Sequence, residues 1–135
     1  MTAFVALEGL RVLVVEDDML IAACIEEALH GVGCVVVGPV SKLEAALELA
    51  NEETLDAAIL DINIRGGHVY PVAERLRARG IPFALASGYG DWALPEAFRN
   101  QPRLTKPFTE QELLAQMLSL HRGPGTFEST EPLRA

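Results

Sequence analysis

The chain of 135 residues is poor in lysine, cysteine and aromatic side chains. Lysine occurs only at positions 42 and 106, and 11 Lys and Arg face 19 Asp and Glu, a formal net charge of −8. Phosphate-backbone binding needs clustered cations, so this balance excludes a broad nucleic-acid footprint and suits a divalent cation or a basic partner instead. The two cysteines, Cys24 and Cys34, lack CxxC spacing and a neighbouring His/Cys cluster. That argues against a disulfide framework, and both read as buried free thiols. No apolar run approaches the ~18 residues of a membrane span, and the opening MTAFVALEG has neither the basic n-region nor the cleavage pattern of a signal peptide. A reducing, cytoplasmic setting away from the membrane is expected.

What is present is a core. Half of the residues are apolar and 22% are charged, the composition of one packed globule rather than a disordered chain. Arg11 to Val15 (RVLVV), Cys34 to Val37, Leu55 to Leu60, Pro82 to Ala86 and Arg103 to Thr105 read as five short strands. The first and third are continuous apolar runs of the kind buried on both faces. Between them lie helical periods. Met19 to His30 places Leu20, Ile21, Cys24, Ile25, Ala28 and Leu29 on its inner side and stops at Gly31/Gly33. Ser41-Lys-Leu-Glu44 reads as a capping box opening a helix to about Glu53, and Thr109-Glu-Gln-Glu112 as a second one opening the last helix. Pro71 suits the first turn of a helix that ends at Gly80, with Arg75, Arg77 and Arg79 on a solvated face. Only 19 positions separate Ser87 from Lys106 and Pro95 interrupts them, so the fourth helix should be short or irregular.

Alternating strands and helices of this kind predict an α/β fold: a doubly wound, five-stranded parallel sheet of order 2-1-3-4-5 with helices on both faces. Residues 9–121 make up the expected domain, 1–8 an N-terminal extension, and 122–135, without apolar period, a disordered tail.

In such a sheet the carboxyl ends of the strands share one edge, where ligands gather. Here the first strand stops at Glu16 and Asp17, the third at Asp61 and the fifth at Lys106, with Ser87 and Gly88 after the fourth. Asp18 reads as a helix cap. Clustered carboxylates repel one another, by about 4 kcal/mol per pair at 4 Å and an effective dielectric near 20, so a cation must help. The candidate ligands are hard oxygens, which selects Mg²⁺, Mn²⁺ or Ca²⁺ over zinc. A carboxylate, a divalent cation, a lysine and a hydroxyl can together accept a phosphoryl group. The three histidines, His30, His68 and His121, are scattered, and none is placed as a base.

Four segments, VLVVEDD (12–18), ILDINIRGG (59–67), ALASG (84–88) and LTKPF (104–108), occur in this order, each at a strand end. In these the chain resembles the receiver domain of bacterial two-component response regulators, over about residues 9–121. The resemblance implies that Asp61 is the phosphoacceptor; that Glu16, Asp17, Asp61 and the backbone carbonyl of Asn63 bind Mg²⁺, with Mn²⁺ as a substitute; and that Lys106, Ser87 and Gly88 contact the phosphoryl group. It implies a sensor histidine kinase or a histidine phosphotransfer protein as donor, and output through a downstream protein or by shuttling phosphate. PFALASGYG (82–90) further resembles a mostly stand-alone receiver subgroup carrying Phe-Ala-Thr-Gly followed by Tyr and associated with general stress signalling, with Ser87 in place of Thr. Position 103, usually an aromatic switch residue in receivers, is arginine here. Ser87, Tyr89, Trp92 and Arg103 are therefore the switch candidates. A small Mg²⁺-dependent phosphatase using the same carboxylates and a phosphorylation-independent binding module are the competing readings. No feature of the sequence specifies an oligomeric state.

Overall fold

The structure, a computed structural model, describes residues 3–88 and 94–130. Strands β1 (Arg11–Val15), β2 (Val35–Val40), β3 (Ala57–Asp61), β6 (Phe83–Ser87) and β7 (Arg103–Thr105) form one parallel sheet of order β2-β1-β3-β6-β7. Counting these main strands alone, the order is the predicted 2-1-3-4-5. Helices α1 (Met19–Gly31), α2 (Leu43–Glu52), α3 (Tyr70–Ala78) and α4 (Glu110–Thr130) cover its faces. Alternation along the strands divides the core in two. Leu13, Val15, Ala58, Leu60 and Leu85 point into the layer with α2 and α3. Val12, Val14, Ala57, Ile59 and Ala84 point into the layer with α1 and α4. Burying each large side chain is worth about 1.5–3 kcal/mol, so central strands apolar on both faces form and stay in register.

The local signals held where nothing tertiary competed with them. Asp18 caps α1, accepting the N–H groups of Leu20 and Ile21 at 3.0 and 3.1 Å. Thr109 and Glu112 form the reciprocal box at α4, at 2.8 and 3.0 Å. Pro71 occupies the first turn of α3. Between β6 and β7 the described residues contain only a 3-10 turn, Glu96–Phe98, as the short fourth helix required.

Several expectations need correction. Cys24 is exposed, whereas Cys34 is buried as expected. Leu20 is also exposed, at 78%, because α1 turns Ala22, Ile25, Ala28 and Leu29 inward. At 100° per residue Cys24 lies about 100° and Leu20 about 140° from Ile25. Strand β2 does not halt at Gly38-Pro39. Leu13 pairs with Val37 and Val15 with Val40, so β2 carries one extra residue, a bulge that an edge strand tolerates even with proline. Beyond the third strand the chain forms a small antiparallel hairpin that the five-strand reading does not include, β4 (Asn63–Ile64) with β5 (Gly67–His68).

Ser41 does not cap α2. The N-cap is Lys42, without a side-chain bond, because the chain at 41–43 pairs with Arg65: Arg65 N–H donates to the Ser41 carbonyl (3.1 Å) and Leu43 N–H to the Arg65 carbonyl (2.8 Å). The α3 arginines are exposed, but two are engaged. Arg77 lies 4.6 Å over the Phe98 ring, and Arg79 donates to the Ala50 and Glu53 carbonyls at the end of α2. Helix α4 runs to Thr130, past His121 where the apolar period stops. Among the described residues no helix is long and apolar enough to cross a membrane.

Candidate functional site

Four strand ends build the site. Val12 to Val15 pair with Ala57 to Leu60, which brings the residue after β1, Glu16, beside the last residue of β3, Asp61. The Glu16 N–H is held by the Val40 carbonyl at 2.9 Å, and the Asp18 N–H donates to Glu16 Oε2 at 3.1 Å. These bonds aim the carboxylate at Asp61 rather than at solvent. Asp61 pairs with Ala86 in β6, so Ser87 lies one step beyond it at the rim, and Ser87 in turn pairs with Thr105 in β7. The Lys106 N–H donates to the Ser87 carbonyl at 2.8 Å, which fixes the residue whose side chain then reaches back across the edge.

Lys106 Nζ lies 3.0 Å from Glu16 Oε1, 3.1 Å from Oε2 and 3.2 Å from Asp61 Oδ1. Carboxylate oxygens of Glu16, Asp17 and Asp61 lie within 4.8 Å of one another. Glu16 is 3% and Asp61 6% exposed. Burial, followed by the hydrogen bond and charge of Glu16, pushes the Asp61 carboxyl up to about 7, while Lys106 pulls the other way. Burial pulls the Lys106 ammonium down, but Glu16 and Asp61 outweigh it and hold it above its usual value. One lysine does not neutralise three carboxylates. Glu16 Oε1 is ion-paired with Nζ but out of line for a hydrogen bond, a buried oxygen without a hydrogen-bond partner. An orphaned buried oxygen among hard-oxygen donors fits a divalent cation.

The structure therefore brings together Glu16, Asp17, Asp61, Lys106 and Ser87. Ser87 is buried, whereas Asn63 on β4 and Gly88 are exposed at the same edge. Arg103 begins β7, exposed and three residues before the lysine. Tyr89 and Trp92 lie outside the described residues. The aromatic that anchors the chain between β6 and β7 is Phe98, which pattern reading passed over. Its ring stacks on Tyr70 at 5.4 Å and meets Phe83 edge-on at 6.4 Å. Lys42 and Arg65, bridged on two loops of the same edge, carry no pattern in the sequence, because the Ser41-Lys-Leu-Glu44 box places the cap one residue earlier.

A doubly wound sheet with three carboxylates and a lysine gathered at its carboxyl edge defines a receiver-type signalling domain. The chain belongs to the response regulator receiver domain family, whose model matches residues 12–118. It is 42% identical to SdrG from Sphingomonas melonis Fr1, known from a solution structure, with a TM-score of 0.71 over 82% of this chain and 98% of that one. The BeF3-activated conformation of SdrG from Pseudomonas melonis Fr1 matches at 41% identity and a TM-score of 0.67, covering 88% of this chain and 100% of that one. The uncharacterized transcriptional regulatory protein YbdJ of Bacillus subtilis (strain 168) is 28% identical over 132 residues, 94% of this chain and 58% of that protein. The chain spans about half the length of the curated relatives it matches.

Proposed function

We propose that this receiver accepts a phosphoryl group on Asp61, with Mg²⁺ held by Glu16, Asp17, Asp61 and the Asn63 carbonyl. The observation that carries the reading is the meeting of Lys106 Nζ with Glu16 and Asp61 at 3.0 and 3.2 Å, one ammonium among three carboxylates whose oxygens lie within 4.8 Å of one another. An oxygen of ionised Asp61 attacks phosphorus, the bond from phosphorus to the donor's histidine nitrogen breaks, and that nitrogen keeps the electron pair. Lys106 neutralises charge on the phosphoryl oxygens and Ser87 donates its hydroxyl to one of them; Gly88 leaves the rim open. The divalent cation, when bound, supplies further charge neutralisation at the same oxygens and favours the ionised form of Asp61.

The donor is a phosphohistidine on a sensor kinase or phosphotransfer protein. An apolar groove of about 860 Å³ next to Lys106, lined by Leu20, Ile21, Cys24, Pro107, Phe108 and Leu113, supports protein contact there, as does the exposure of Met19 at 84%. Output passes by protein contact or phosphate shuttling. The 42% identity to SdrG, a protein solved in a BeF3-activated conformation, supports phosphorylation as the switch. Similarity to the stress-signalling subgroup rests on residues 82–90 alone. In the test, the chain is incubated with acetyl phosphate and Mg²⁺. Wild type should gain an acid-stable, hydroxylamine-labile phosphoryl group, and Asp61→Asn should gain none; equal labelling of the variant would refute the assignment.

A further inference from the structure

Five cations of this acidic chain are engaged among the described residues. Arg11 pairs with Glu53, Arg77 lies over Phe98, Arg79 and Arg99 donate to carbonyls, and Lys106 serves the site. Arg75, Arg103 and Arg122 stand singly on the surface, whereas Lys42 and Arg65 are bridged to each other. Both are exposed, and neither side chain has an ion-pair or hydrogen-bond partner among the described residues. Their backbones form a parallel bridge that joins the loop after β2 to the loop after β3. Bridged backbones lie about 4.8 Å apart, so the two side chains leave the molecule side by side. The approach is enforced: Gly66 has φ +99°, and a Cβ there would come within 3.2 Å of Leu43 Cβ.

Lys42 is also the wrong residue for its place. It is the N-cap of α2, where the helix dipole disfavours a cation and where Ser, Thr, Asp or Asn would supply a cap. Ser41 stands one position away with Glu44 in reach of a capping box, yet the chain gives up that box to keep Lys42 bridged to Arg65. The two backbone hydrogen bonds of the bridge offset the lost box, but they would form with any non-proline residue at position 42, so a cation there is the choice that the fold does not account for. Two unpaired cations at a dipole's positive end create a positive spot on the edge that holds Asp61, in a chain of net charge −8.

We propose that Lys42 and Arg65 form a docking point for an acidic segment of the protein that presents the phosphoryl group to Asp61. The identity of that protein rests on the function proposed above, while the acidic docking itself does not. Such a contact counters the repulsion that Glu16, Asp17 and Asp61 exert on an anionic donor and sets its orientation.

Two measurements test it. In the first, the ¹⁵N-labelled chain is titrated with hexaglutamate at low ionic strength. Saturable amide shifts confined to residues 41–44 and 64–67, and lost in Lys42→Glu/Arg65→Glu, are the expected result. No shifts, or equal shifts around Arg75 and Arg103, would overturn the proposal. In the second, phosphotransfer is followed from a sensor kinase core that labels the wild-type chain. The double variant should accept phosphate about tenfold more slowly at low salt, the gap closing at high salt. Unchanged rates would overturn the proposal, and so would an equal loss with acetyl phosphate, which has no acidic segment to dock. Lys42→Glu suits the helix dipole, so its melting temperature should hold or rise, which separates docking from folding. Failure of wild type to take label from acetyl phosphate would refute Asp61 as acceptor while leaving the hexaglutamate result to stand on its own.

Discussion

Lys106 holds two buried carboxylates with one ammonium, and that single residue decides how the site behaves when empty. Its Nζ is within 3.2 Å of both Glu16 and Asp61, and both carboxylates are buried. Replacing it by methionine keeps the apolar stem and removes the charge. Breaking a buried pair from one side costs about 3 kcal/mol, so Lys106→Met should be destabilised by about that amount at pH 8. The loss should be smaller at pH 5, where Asp61 is already protonated and less charge is left unpaired. Denaturant unfolding at the two pH values checks this; an equal loss at both would mean that the stem, not the ammonium, matters.

At the scale of elements, two capping boxes with the same sequence logic met different fates, and stability measurements should tell them apart. Thr109 bonds the Glu112 N–H at 3.0 Å with nothing else competing for it. Thr109→Ala should therefore cost about 1 kcal/mol. Ser41 reads as an equal cap but lends its carbonyl to Arg65 and bonds no helix N–H through its side chain. Ser41→Ala should change stability by less than about 0.5 kcal/mol. Thermal melts of both variants decide it, and equal losses would contradict the register of the Ser41–Arg65 pairing. The contrast shows which features were legible. Strands buried on both faces, the order of the sheet and the convergence of Glu16, Asp61 and Lys106 follow from short-range pattern and topology. The bulge in β2, the hairpin at 63–68 and the side of α1 that carries Cys24 do not, because long-range pairing and helix rotation set them. Phe98 escaped notice for the same reason: a lone aromatic between two loops has no period, and only the stack on Tyr70 gives it meaning.

For the whole molecule, the local charge conflict becomes a dependence of stability on pH and metal. The unfolded chain releases the Asp61 proton near its ordinary pKa of about 3.9, whereas the folded site keeps it up to about 7. Between those values the folded state binds more protons, so stability falls as pH rises, and this contribution is complete below pH 4 and lost above 7. Lys106, held above its usual value, does not enter this window, since its ammonium is lost only at strongly alkaline pH. A divalent cation competes for the same oxygens as the proton. At about 100 times its dissociation constant, Mg²⁺ that binds only the native state stabilises it by about 2.7 kcal/mol. At fixed metal concentration this gain should be large at pH 8 and shrink at pH 5, where protonated Asp61 no longer serves as a ligand. Melts with Mg²⁺ and with a chelator at both pH values give four curves whose double difference isolates the coupling. A gain in Asp61→Asn as large as in wild type would place the cation elsewhere on this acidic surface, and a gain independent of pH would remove Asp61 from its ligands.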